Sequence, residues 1–85
     1  MSKFSVEITW SETVINNVQT NNENYELIDR SIDEAFDRVI NQLSEKYHVQ
    51  FSITNFAEHN VVKRYEHIIY NNERVGILTV SLVTP

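Results

Sequence analysis

A chain of 85 residues with a net charge of −5, 41% hydrophobic and 22% charged, reads as one globular domain (1–85) near the lower size limit for unaided folding. Its excess of acid argues against a generic nucleic-acid binder, which needs Lys and Arg to neutralise phosphates. The absence of cysteine excludes a disulfide-stapled miniprotein and suits a reducing cytoplasm. No apolar run approaches the roughly 20 residues that span a bilayer, so no membrane partner is expected. Lys3 and Glu7 break up the N-terminus where a signal peptide needs an apolar core. Abundant asparagine with a single glycine fits an AT-rich coding sequence of bacterial or phage origin.

Lys3 to Trp10 alternates: Phe4, Val6, Ile8 and Trp10 on one side, Ser5, Glu7 and Thr9 on the other. That period of two predicts a strand with one buried face, and places Trp10 in the core. Between Ser11 and Arg30 the pattern blurs. Val14, Ile15 and Val18 form one short apolar group and Tyr25 to Ile28 another, with the polar stretch Asn21-Asn22-Glu23-Asn24 between them. A hairpin is expected there, because a structureless loop of about 20 residues is rare in so compact a chain.

Ser31-Ile32-Asp33-Glu34 matches a capping box, in which the serine oxygen accepts from the third amide of a helix. Ile32, Ala35, Phe36, Val39, Ile40, Leu43 and Tyr47 then recur at spacings of three and four, one apolar stripe along the helix. Lys46 and His48 end it with positive charge at the negative pole of the dipole. Val49 to Ile53 alternates again, Glu58-His59-Asn60 predicts a turn, Val61–Tyr70 a strand, Asn71–Arg74 a turn and Val75–Val83 the last strand. Asparagine tolerates left-handed backbone and can serve turns where glycine is scarce.

The expected fold is α+β with two layers. One amphipathic helix (about 32–47) packs on a four- to five-stranded, mainly antiparallel sheet in the chain order β(β)αβββ. The last strand, apolar on both faces, is placed centrally with the first beside it. With Tyr70 opposite Val75, the final hairpin pairs Tyr65 with Val80 and His67 with Leu78 towards the helix. Arg64 and Glu66 then point outward, and Ile68, Tyr70, Val75 and Ile77 cluster on the outer face. A slip of one residue would bury the charges instead.

No catalytic constellation stands out. One glycine in the whole chain excludes the nucleophile elbow and phosphate-cradling loops. His48, His59 and His67, spaced by 11 and 8 without cysteine, lack zinc-ligand spacing. No enzyme activity, cofactor or metal is therefore expected. Lys63-Arg64-Tyr65 with Tyr70 could stack single-stranded nucleic acid, but adjacent residues on a strand face opposite ways.

Two surface features remain. Between residues 23 and 37, Glu23, Glu26, Asp29, Asp33, Glu34 and Asp37 are countered by Arg30 alone, which favours a basic partner. The Ile68–Tyr70–Val75–Ile77 cluster would supply apolar burial. The expected function is a non-catalytic protein-binding module. Its concrete form is a small acidic inhibitor, of immunity-protein or phage anti-defence type, that blocks a nucleic-acid enzyme or another basic partner. The expected contacts are Glu26, Asp29, Asp33, Asp37, Ile68, Tyr70, Val75 and Ile77. The alternatives are a self-associating module that forms a homodimer, and a sheet-face binder of a small molecule or single-stranded nucleic acid.

Overall fold

The computed structural model describes residues 1–54 and 58–85. In chain order the elements are β1 (Ser2–Trp10), β2 (Val14–Ile15), β3 (Val18–Gln19), β4 (Glu23–Asp29) and α1 (Ile32–Tyr47), then β5 (Ser52–Ile53), β6 (Glu58–His59), β7 (Lys63–Tyr70) and β8 (Glu73–Thr84). The main sheet runs β4-β1-β8-β7-β5, with β6 also on β7, and every pairing in it is antiparallel. Helix α1 lies across one face, which gives the two-layer α+β arrangement that the periodicity predicts. β8 is central, with β1 at its side.

The helix begins as its sequence dictates. Ser31 has extended backbone, and its Oγ accepts the Glu34 N–H at 3.2 Å. Ile32, Ala35, Phe36, Val39, Leu43 and Tyr47 are buried, and Ile40 packs at the margin. They meet Phe4, Val6 and Ile8 of β1 and Leu78 and Val80 of β8 in one core. At the far end His48 adopts left-handed backbone (φ 55°), and the Val49 N–H reaches back to the Ser44 carbonyl at 3.2 Å. That six-to-one bond is the Schellman closure usually served by glycine. The core there is aromatic: Trp10 packs edge-on against Tyr47 at 5.2 Å between ring centroids, and Phe51 lies 5.9 Å from Trp10.

The 11–30 segment folds differently from the expected hairpin. The turn falls at Asn16-Asn17, both at positive φ (50° and 65°), and joins β2 to β3 in a sheet of their own. Paired positive φ values are the mark of a type I′ turn, and asparagine bears them at small cost. The Asn16 Nδ2 then donates to the Tyr47 carbonyl at 2.9 Å, satisfying a carbonyl at the end of α1. Asn21 and Asn22 make no turn between paired strands; they hold Trp10. The Asn22 Oδ1 accepts the Trp10 backbone N–H at 2.8 Å, and the Asn21 carbonyl accepts the indole N–H at 3.1 Å. β4 consequently pairs with β1, Phe4 opposite Leu27 and Val6 opposite Tyr25.

Glu58-His59-Asn60 is also corrected. Glu58 and His59 pair with Tyr65 and Arg64, and the chain turns just after, where the Asn60 Oδ1 accepts the Val62 and Lys63 N–H groups.

The largest departure is the register of β7 on β8. Arg64 lies opposite Val80, Glu66 opposite Leu78 and Ile68 opposite Gly76. This is the one-residue slip that buries the charges: Arg64 is 8% exposed and Glu66 1%. They tolerate burial because, two apart on a strand, they share a face and pair with each other, Arg64 Nε donating to Glu66 Oε2. The Arg64 Nη1 donates to Asp33 Oδ1 at 2.9 Å, and its guanidinium lies 4.1 Å from the centre of the Phe36 ring. A bulge between Ile68 and Ile69 brings Tyr70 opposite Glu73, closing a two-residue turn at Asn71-Asn72 with φ of 52° and 62°. Gly76 is needed for closeness rather than for a special backbone angle. A β-carbon there would stand 2.8 Å from the Thr9 carbonyl oxygen and 2.9 Å from Trp10 Cε3.

Candidate functional site

The apolar patch expected from the shifted register does not form. Ile68 and Val75 are in the core at 0% and 3% exposure. Ile68 faces the helix because it shares its side of β7 with Arg64 and Glu66, and the true register turns that side inward. Val75 is the extra residue of the bulge, which sends it inward beside Gly76. Tyr70 is half-buried, with its ring edge-on to Phe51 at 6.1 Å. Ile77 alone stands on the outer face, half-buried opposite His67. That outer face is the ordinary polar side of an antiparallel sheet: Lys3, Ser5, Glu7 and Thr9 of β1 neighbour Glu26 of β4 and Thr79 and Ser81 of β8.

The acids fare differently from one another. Asp29 is 4% exposed and faces the helix, so it is no contact for a partner. Its carboxylate accepts from Arg38 Nε at 2.7 Å and from the Arg30 backbone N–H at 2.9 Å. Those hydrogen bonds, the Arg38 one foremost, hold its pKa below the usual aspartate range. Asp33 stays exposed, but its Oδ1 already serves Arg64 and lies 2.6 Å from His59 Nε2. Glu26 is exposed on the outer sheet face, 3.8 Å from Lys3 Nζ. Asp37 is exposed on α1 with no ion pair within 4 Å among the described residues.

Six further acids, Glu7, Glu12, Glu23, Glu34, Glu45 and Glu73, likewise have no ion pair within 4 Å among the described residues. Glu34 and Glu45 are exposed on α1, and Glu23 opens β4 half-buried. Glu34, Asp37 and Glu45 recur at helical spacing along one side of α1, a signal present in the sequence but divided there, since Glu34 and Asp37 fall within the acid run of residues 23–37 and Glu45 outside it.

That side of α1 borders β4. A depression of about 550 Å³ separates Asp29 and Arg30 from Glu34, Asp37, Asn41 and Glu45. A second, of about 380 Å³, lies between Glu23 and Tyr25 of β4 and Val39, Leu43 and Lys46 of α1. Gln42 lines both, so the two depressions adjoin along the groove between helix and edge strand. Burial, and secondarily Glu23, raises the Tyr25 pKa, which keeps the phenol neutral and able to donate.

The remaining ionisable cluster is Asp33, His59, Arg64 and Glu66 at the other side of the helix start. Among the described residues no hydroxyl bonds the His59 ring, so the His–Asp pair has no nucleophile to activate. No group of three or more His, Asp or Glu among the described residues could hold a metal ion. No described helix is long and apolar enough to cross a membrane. The chain matches no protein-family model, no curated protein and no solved structure.

Proposed function

We propose that this chain is a non-catalytic protein-binding module whose partner presents a basic surface, and that it acts as a small acidic inhibitor blocking a nucleic-acid enzyme of a bacterium or phage. The observation that carries this reading is the α1–β4 flank. Glu34, Asp37 and Glu45 line one depression of this flank and Glu23 the adjoining one, without ion pairs within 4 Å among the described residues, whereas Glu26, Asp29 and Asp33 already have cationic partners. Four acids outnumber the cations Arg30, Arg38 and Lys46 that line the same surface, and such an excess creates a local negative potential that steers a cationic partner and selects for one.

The test is affinity capture from bacterial lysate with the wild-type chain and a Glu34→Lys/Asp37→Lys variant, at low and high salt. The expected result is a basic protein retained by the wild type, released by salt and not retained by the variant. A partner retained equally by both forms would overturn the acidic-flank assignment.

A further inference from the structure

The groove has a second property: one of its walls is an open strand edge. β4 ends the main sheet, and among the described residues nothing pairs with its outer side. Alternate residues of an antiparallel strand turn both backbone groups away from the neighbour they pair with. Over the seven residues Glu23–Asp29 that leaves a row of N–H and C=O groups without a strand partner. Such an edge is a template for another strand, and proteins that leave one open usually protect it with charge or use it.

We propose that the partner is recognised as an extended basic segment that adds to the outer edge of β4 and lies in the groove beneath α1. The proposal rests on the acidic-flank reading above and specifies the conformation of the ligand. Backbone pairing with β4 fixes register and direction. Every second side chain of the added strand then points to the helix side of the sheet, past the half-buried ring of Tyr25. Glu34, Asp37 and Glu45 along α1 meet its lysines or arginines.

Charge disfavours a second copy of this chain in the register that overlaps the two β4 edges fully. Antiparallel pairing of two β4 edges about a two-fold axis through Glu26 sets Glu26 against Glu26, and Glu23 against Asp29. Like charges directly opposite destabilise a strand pair. Registers about Tyr25 or Leu27 oppose no like charges, so a second copy paired at β4 in one of those registers, seen as a dimer by light scattering, would overturn the basic-strand assignment.

The test uses the intact chain and a defined probe, a fluorescently labelled heptapeptide of alternating lysine and valine. A control has the same sequence with alternate backbone nitrogens methylated, so that charge and side chains persist but one edge cannot pair. Binding is read by anisotropy at low salt, and the site by amide hydrogen exchange. The expected results are slowed exchange confined to residues 23–29, and affinity about tenfold or more weaker for the methylated peptide, as several edge hydrogen bonds are lost. A Glu34→Gln/Asp37→Gln/Glu45→Gln variant should weaken both peptides. Equal binding of the two peptides, or saturation without slowed exchange at 23–29, overturns strand addition while leaving the acidic flank intact. Failure of the acidic flank shows separately, as lysate capture that Glu34→Lys/Asp37→Lys does not change.

Discussion

The buried Arg64–Glu66 pair permits a demanding test of the β7–β8 register. In the observed register both side chains face α1, and Glu66, 1% exposed, has Arg64 as its one hydrogen-bond partner among the described residues; its second oxygen, Oε1, has none there. Replacing Arg64 by methionine keeps much of the stem's packing on Phe36 but strands the carboxylate in the core. Breaking a buried pair in this way costs about 3–5 kcal/mol. For a chain of this size that lowers Tm by on the order of 15 °C or more. Glu66→Leu should fall at the lower end of that range, because Arg64 keeps Asp33, at 2.9 Å and half-exposed to water. The double variant Arg64→Met/Glu66→Leu removes both charges together and leaves apolar groups among Phe36, Leu78 and Val80. Its stability should lie within about 1 kcal/mol of the wild type or above it. Urea unfolding followed by the fluorescence of Trp10, the single tryptophan and 9% exposed, reads all four corners of the cycle. The expected coupling energy is about 5 kcal/mol or more, far above the few tenths typical of exposed pairs. Two single variants each within about 0.5 kcal/mol of the wild type, and additive, would mean the charges lie in solvent. The register described above would then be refuted.

Four other outcomes follow from local geometry. Gly76→Ala should destabilise by about 1–3 kcal/mol and shift the Trp10 emission, since the new methyl meets the Thr9 carbonyl oxygen and the indole below 3 Å. Substituting His48→Gly should raise stability by about 1 kcal/mol in the same urea assay, because glycine bears the left-handed φ of 55° without the Cβ penalty. Asn72→Gly at φ 62° should gain a smaller amount, up to about 1 kcal/mol, and leave the Tyr70–Glu73 closure unchanged in amide NMR spectra. Acid should weaken the wild type through Asp29. Its folded pKa is depressed by Arg38 and the Arg30 N–H, so its contribution is complete above the unfolded value of about 3.9 and is lost as pH falls through the folded one. Asp29→Asn should be less stable at neutral pH and lose less between pH 5 and pH 2, and an unchanged slope would remove Asp29 from that account.

The elements were legible where a single face of a single element decides burial. β1 shows its period of two from Phe4 to Trp10, and α1 carries both its capping serine and its apolar stripe. The central place of β8 follows from residues apolar on both faces. Asparagine marked the turns by type, although a chain with asparagine at positions 16, 17, 21, 22, 24, 71 and 72 does not say which ones bend. Asn16-Asn17 and Asn71-Asn72 turn the backbone, whereas Asn21 and Asn22 receive the hydrogen bonds of Trp10.

What the sequence alone determined, then, is the set of surfaces each element must bury. What only the tertiary structure decided is which partner satisfies each exception. Alternation argued that Arg64 and Glu66 face water, and by their own hydration they would. Phe36 and Asp33, some 30 residues away, supply a ring and a carboxylate that make burial of the pair tolerable, and that reverses the face of the whole strand. With it went the apolar cluster of Ile68, Tyr70, Val75 and Ile77. The acids were divided in the same way: Asp29 acquired Arg38 and Asp33 acquired Arg64, while Glu23, Glu34, Asp37 and Glu45, left without an ion pair, lie where α1 borders the open edge of β4. Pairing between distant charges depends on where the chain brings them, so the composition could show an acidic stretch but not which of its members remained free.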